Sequence, residues 1–269
     1  MTGVMYKIME WPLSVSVMII LALCVIVPWL AVRVVRRVWP PPALKEDNEL
    51  VGFTYAVYGL IYGVLLTFTI IVAWERFAET ERLVMHEATL LSEIWRDSNA
   101  FPAPVREGIH TDLIAYVQSV VDDEWPAMAA LGKAHPKTRD VYERLWAHTY
   151  RVQPETKNQE AYLPEFLARM NELSGARRLR ILYSRMEVHR ILWMVLLFGA
   201  VPTIAYTLLF SNKHAWIQRI IMGWVMLIVM MGLLITLSLQ YPFSGDVSIQ
   251  PDAFRDLQES FHQRAAAGL

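Results

Sequence analysis

Hydrophobic positions gather into four long stretches, Pro12–Val32, Leu50–Trp74, Ile191–Phe210 and Trp216–Leu239, and Arg219 is the only charged side chain within them. An α-helix rises 1.5 Å per residue, so about 20 apolar residues cross a hydrocarbon core of about 30 Å. In lipid the backbone has to satisfy its own hydrogen bonds, so these stretches are predicted to be membrane-crossing helices. Two of them precede, and two follow, a long insert of mostly polar and charged residues.

Between the first two stretches, Arg33, Arg36 and Arg37 are followed by Trp39-Pro40-Pro41-Pro42. Consecutive prolines cannot continue a helix, so residues 40–49 read as a short linker. The second stretch has no such stop. Neither Gly nor Pro appears between Trp74 and Pro102, and Phe77, Val84, Ala88, Leu91 and Trp95 recur at helical spacing. The second span is therefore expected to continue as one rod to about Asp97. Pro104 suits a first helical turn and starts a helix over 104–124 that Glu124-Trp125-Pro126 should end. A shorter helix is expected near Thr138–Val152. A further one should begin near Leu163-Pro164 and run through Arg190 into the third span. Tyr241-Pro242-Phe243-Ser244-Gly245 stops the fourth span, and Pro251–Arg264 reads as an amphipathic helix with Phe254, Leu257 and Phe261 inward.

The predicted fold is thus an all-α membrane protein. Two transmembrane pairs (12–74 and 191–239) flank an extramembrane bundle of about four helices over 75–190, with stalks continuous with the second and third membrane helices. A tail over 240–269 packs on that bundle. Composition agrees: 55% of the 269 residues are hydrophobic, above the usual share for a soluble domain. The net charge of −1 offers no basic field for nucleic acid. The single Cys24 lies inside the first span and reads as a small buried apolar residue, which excludes an intrachain disulfide.

Charge divides the insert. Glu75–Trp125 carries eleven acids against four Arg, and Arg169–Arg190 carries six Arg against two Glu. Arg177, Arg178, Arg180, Arg185 and Arg190 admit two readings: pairing with the acidic stalk, or binding anionic lipid head groups. Membrane sidedness is pulled both ways. The short first loop, with Arg33, Arg36, Arg37 and Lys45 against Lys7 in the N-terminal tail, favours an insert outside the cytoplasm in a cell (inner) membrane. The Arg cluster before the third span points the other way.

The second span is the least lipid-like. Gly52, Ala56, Gly59 and Gly63 line one helix face and are expected to pack closely on another helix. Tyr55, Tyr58 and Tyr62 follow an adjacent face, and Tyr hydroxyls in a membrane need partners. That second face either packs or lines a pore. The seven His show no metal-ligand spacing, and no phosphate-cradling Gly loop or nucleophile elbow is present. The sequence therefore points away from an enzyme and calls for no cofactor or metal. The spans also lack the paired carboxylates common in proton-coupled transporters.

Several strings together resemble the bestrophin-like domain family, a group of mostly bacterial membrane proteins. They are the Gly59–Trp74 helix with its acidic stalk and Glu87-Ala88, Tyr116…Glu124-Trp125, Arg177-Arg178…Arg180 before Leu192-Trp193, and Pro242-Phe243-Ser244-Gly245. Where family members often carry an acid before that Pro, this chain has Gln240. Bestrophins are pentameric anion channels whose second membrane helix lines the pore, with the helical region in the cytosol. The resemblance implies a homo-oligomeric anion channel in contact with membrane lipids, with Tyr58, Tyr62, Leu65 and Thr69 facing the pore. The alternative is a non-conducting structural or signalling module whose bundle senses or docks a partner.

Overall fold

A computed structural model describes residues 11–38, 48–185, 189–210 and 214–267 of the protein. Of the described residues 86% are helical, and none of them forms a strand. The helices are α1 (Leu13–Val38), α2 (Asn48–Ser98), α3 (Ala103–Ser119), α4 (Trp125–Leu131), α5 (Pro136–Thr149), α6 (Lys157–Tyr183), α7 (Arg190–Tyr206), α8 (Ala215–Gln240) and α9 (Asp252–Ala266). A π-helical turn, Val120–Glu124, joins α3 to α4, and a 3-10 turn, Thr207–Leu209, extends α7. Four helical segments are long and apolar enough to cross a membrane: α1, α2, α7 with its 3-10 turn, and α8. Most of the linker expected at 40–49 lies outside the described residues.

The chain divides into two compact units. One comprises Met1–Arg76, Glu187–Gln240 and Gly245–Val247, and the other Phe77–Met186, Tyr241–Ser244 and Ser248–Leu269. α2, 51 residues without a break, belongs to both.

In the first unit α1 packs on α8. The buried residues of α1 are Ser16, Ile20, Cys24, Pro28 and Val32, a strict four-residue repeat that forms one face. Pro28 has no N–H, so the carbonyl of Cys24 lacks its intrahelical donor. That carbonyl lies against Gly223 of α8, where a Cβ would stand 2.9 Å from it. Here a missing donor and a missing side chain let two backbones approach closely.

In the second unit the core joins every helix from the far half of α2 onward. Leu91, Ile94 and Trp95 meet Ile109, Leu113 and Tyr116 of α3, Leu145 of α5, Phe166 and Leu173 of α6, and Phe254 and Phe261 of α9. Trp95 stacks between His110 at 3.7 Å and Phe261 at 4.4 Å.

Three boundaries differ from the sequence expectation. The helix begun at Ala103 does not stop at Glu124-Trp125-Pro126 but widens into a π turn and continues to Leu131. A proline ring collides with the carbonyl four residues back in a regular helix. The wider turn, in which the Trp125 N–H bonds to Val120 O, accommodates Pro126 at the start of α4. α6 starts at Lys157, six residues before the expected Leu163. The Thr156 side chain caps it by accepting from Gln159 N, and Gln159 Oε1 accepts from Glu155 N. At its other end α6 stops at Tyr183 rather than running into the third span, and α7 begins afresh at Arg190. Ser184 donates to Ile181 O, Arg185 donates to Gly132 O, and His189 caps α7 by accepting from Ile191 N. Local side-chain bonds of this kind compete with helix continuation. Among the described residues, an unbroken helix extends from an apolar stretch into the second unit only in α2.

Candidate functional site

The membrane portion of α2 has two unlike faces. On the covered face Tyr62, Leu66, Thr69 and Ala73 are buried. Two of them seat in notches formed by glycines of other spans. A Cβ on Gly199 of α7 would collide with the Tyr62 ring, and one on Gly232 of α8 would lie 2.7 Å from Leu66 Cδ2. Tyr58 donates to Gly199 O over a long 3.4 Å, and Tyr55 stacks on Tyr206 at 5.9 Å. Thr69 donates to Leu65 O within its own helix.

The other face is open. Gly59, Leu60, Gly63, Val64, Thr67, Phe68 and Ile71 line a shallow groove of about 430 Å³. Nothing described approaches within 4 Å of a Cβ built on Gly59 or Gly63. Gly52 has one neighbour, Phe210 Cε1 at 3.7 Å, and Ala56 is exposed. The small-residue face expected to pack on another helix therefore meets no other described helix at Gly59 and Gly63. Close packing instead uses Gly199, Gly223 and Gly232 of α7 and α8, none of which the sequence reading assigned to packing. Of the four positions assigned to a pore, Tyr62 and Thr69 are covered by their own chain, Tyr58 is half-buried and Leu65 is exposed.

A second constellation lies in the second unit. Arg180 of α6 is fully buried and donates through Nε and Nη2 to both oxygens of Glu87 on α2, at 2.6 and 3.1 Å. Its Nη2 also reaches Glu124 Oε2 at 2.8 Å, and Arg177 Nη2 donates to Glu124 Oε1 at 2.7 Å. Tyr116 Oη donates to Glu87 Oε1 at 2.8 Å. Trp125 and Phe254 flank the Arg180 guanidinium at 5.7 and 5.6 Å. The π turn is what brings Glu124 inside while Asp122 stays exposed.

Burial alone would lower the pKa of Arg180, but Glu87 and Glu124 outweigh it and hold the group well above its ordinary value. Tyr116 is raised well above the usual phenol range, by burial first and by Glu87 second. Two carboxylates face two guanidiniums, so the cluster is formally neutral and closed on itself. Its chemistry is structural: it joins α2, the π turn and α6.

The basic run thus divides. Arg177 and Arg180 are interior partners of the acidic stalk, while Arg178, Arg185 and Arg190 are exposed. In the sequence Glu87 and Glu124 stood out only as part of the net stalk charge and of the strings that resemble the family, with nothing to mark them as partners of Arg177 and Arg180. Gln240 is buried and accepts from Trp193 Nε1 at 2.7 Å. A neutral acceptor at 240 suits the uncharged indole N–H that donates to it. Among the described residues no three His, Cys, Asp or Glu gather as a metal site.

Four apolar spans and a helical charged unit with a closed ionic core define a polytopic helical membrane protein. The chain belongs to the Bestrophin-like domain family, whose model matches residues 22–254. No curated protein matches it. Its fold is similar to the crystal structure of a bacterial bestrophin homologue from Klebsiella pneumoniae, with a TM-score of 0.67 and 13% identity over 93% of this chain and 98% of that one. Two single-substitution variants of that homologue give TM-scores of 0.68 and 0.67 at 13% and 14% identity, each over 93% of this chain, and over 97% and 98% of theirs. At such identity the likeness is one of fold.

Proposed function

We propose that the protein is a homo-oligomeric, anion-conducting channel of the bacterial inner membrane, assembled around the open face of α2, and that it is not an enzyme. The observation that carries this reading is the groove along Gly59, Gly63 and Thr67, left uncovered by the chain's own spans on the least lipid-like of the four. The groove is open to one side, so conduction along it requires several copies arranged with this face toward the axis and toward each other. Small residues permit the close backbone approach that such an arrangement needs. Leu65 remains a pore-side candidate in this reading. Tyr62 and Thr69 act as packing positions, and Tyr58 lies between the two roles. The anion as permeant species follows from the resemblance of the sequence strings to the bestrophin-like family. The residue ranges 12–74, 75–190, 191–239 and 240–269 serve here as membrane pair, bundle, membrane pair and bundle-associated tail.

The test is reconstitution of the purified protein into liposomes, with anion and cation flux measured beside the oligomeric mass in detergent. Flux from an oligomer, with both lost in Gly63→Leu, is the expected result. An intact oligomer that passes neither kind of ion would overturn the channel reading and favour a non-conducting module that docks a partner.

A further inference from the structure

Away from α2, the first unit carries a cluster of arginines that the proposed channel does not use. α1 and α8 run antiparallel through the Cys24–Gly223 contact, which brings the end of α1 beside the first turns of α8. There the guanidiniums of Arg33 and Arg219 both lie on the indole of Trp29, at 5.3 and 5.9 Å from the ring centroid. Arg219 Nε is buried without a hydrogen-bond partner. Arg36 Nε donates to Gln218 Oε1 at 3.2 Å, and Gln218 Nε2 in turn donates to Leu208 O and Phe210 O. Gln218 thus ties the cluster to the α7–α8 connection. Arg37 is exposed one turn beyond Arg33. No described carboxylate pairs with Arg33, Arg37 or Arg219.

Two like charges on one indole repel each other, and a ring face does not neutralise either. Arg219 sits in the first turns of an apolar span, and no described carboxylate compensates it. Guanidiniums in this setting match a phosphate, which accepts from several N–H groups at once. We infer that Arg33, Arg219 and Arg37, arranged around Trp29, form a binding site for the phosphate of an anionic phospholipid. The lipid is favoured over free phosphate because exposed apolar side chains surround the cluster. Leu30, Val34, Trp216 and Ile220 offer acyl-chain contact beside the head-group position. Trp29 and Trp216 suit the interfacial layer where head groups lie.

The experiment measures retention of phosphatidylglycerol and phosphatidylcholine by the full-length protein in detergent, using native mass spectrometry, with inorganic phosphate as a third probe. Phosphatidylglycerol should be retained selectively. Arg33→Gln and Arg219→Gln should each weaken that retention by about fivefold, while Arg178→Gln leaves it unchanged. Arg33 is exposed, so its variant separates lipid binding from folding. Equal retention of the two lipids overturns the proposal, as does loss in Arg178→Gln instead of Arg33→Gln. Protection by inorganic phosphate equal to that by phosphatidylglycerol also overturns it, in favour of a free-anion site.

Discussion

Tyr62 of the second span packs its ring against Gly199 of the third, so closely that the structure has no room for a Cβ at residue 199. Leu66 makes the same kind of contact with Gly232 of the fourth span. The second span contributes the knobs and its neighbours the notches. Its own glycines remain free for another use.

Overpacking follows from this geometry. Gly199→Ala and Gly232→Ala should each cost about 1–3 kcal/mol in thermal unfolding of the detergent-solubilised protein. Gly59→Ala and Gly63→Ala should stay within about 0.5 kcal/mol. Equal losses at all four positions would show that the Gly59 and Gly63 face is packed as tightly as the Gly199 and Gly232 notches.

The closed ionic cluster makes a different prediction. Removing one member leaves buried charge unpaired, so Arg180→Met should cost about 3–5 kcal/mol. Adding Glu87→Met should recover part of that loss, since Glu124 keeps Arg177. A loss below about 1 kcal/mol for Arg180→Met would mean that the cluster does not hold α2, the π turn and α6 together.

Acid should weaken the second unit through His110. Burial depresses its pKa below the ordinary 6.5, the Trp95 carbonyl opposes that, and Arg106 adds to it. A base depressed in the folded state binds fewer protons than in the unfolded chain. Its contribution is therefore present above pH 6.5 and is lost as pH falls through the folded value. Melting between pH 7.5 and 5 should fall more steeply in the native protein than in His110→Phe. Identical slopes would rule His110 out as the source.

Gln240→Leu should cost about 1–3 kcal/mol, because it strands the buried Trp193 indole N–H. Combining it with Trp193→Phe should cost less than the sum of the two single changes. Strict additivity would argue that the two side chains do not depend on each other.

Much of the architecture was legible because it rests on period and length. The four spans, the unbroken α2 and the inward Phe254, Leu257 and Phe261 all follow from apolar spacing. Helix ends were less legible. Pro126 looks like a stop until a π turn absorbs it, and α6 ends near Ser184 although no Gly or Pro marks the place. The candidate site was legible only by residue type. Gly59, Gly63, Tyr58 and Tyr62 were recognisable as unusual in a membrane helix. Which face turned inward depended on Gly199 and Gly232, more than a hundred residues away.

By itself the sequence determined that this chain crosses a membrane as helices, because lipid leaves the backbone no other way to satisfy its hydrogen bonds. It also determined the continuity of the second span with its stalk, because nothing between Trp74 and Pro102 interrupts a helix. Only the tertiary structure decided which glycines receive side chains and which stay open. It also decided that Arg177 and Arg180 are interior partners of Glu87 and Glu124, while Arg33 and Arg219 share one tryptophan. Those outcomes depend on which helix faces meet, and local spacing carries no record of that.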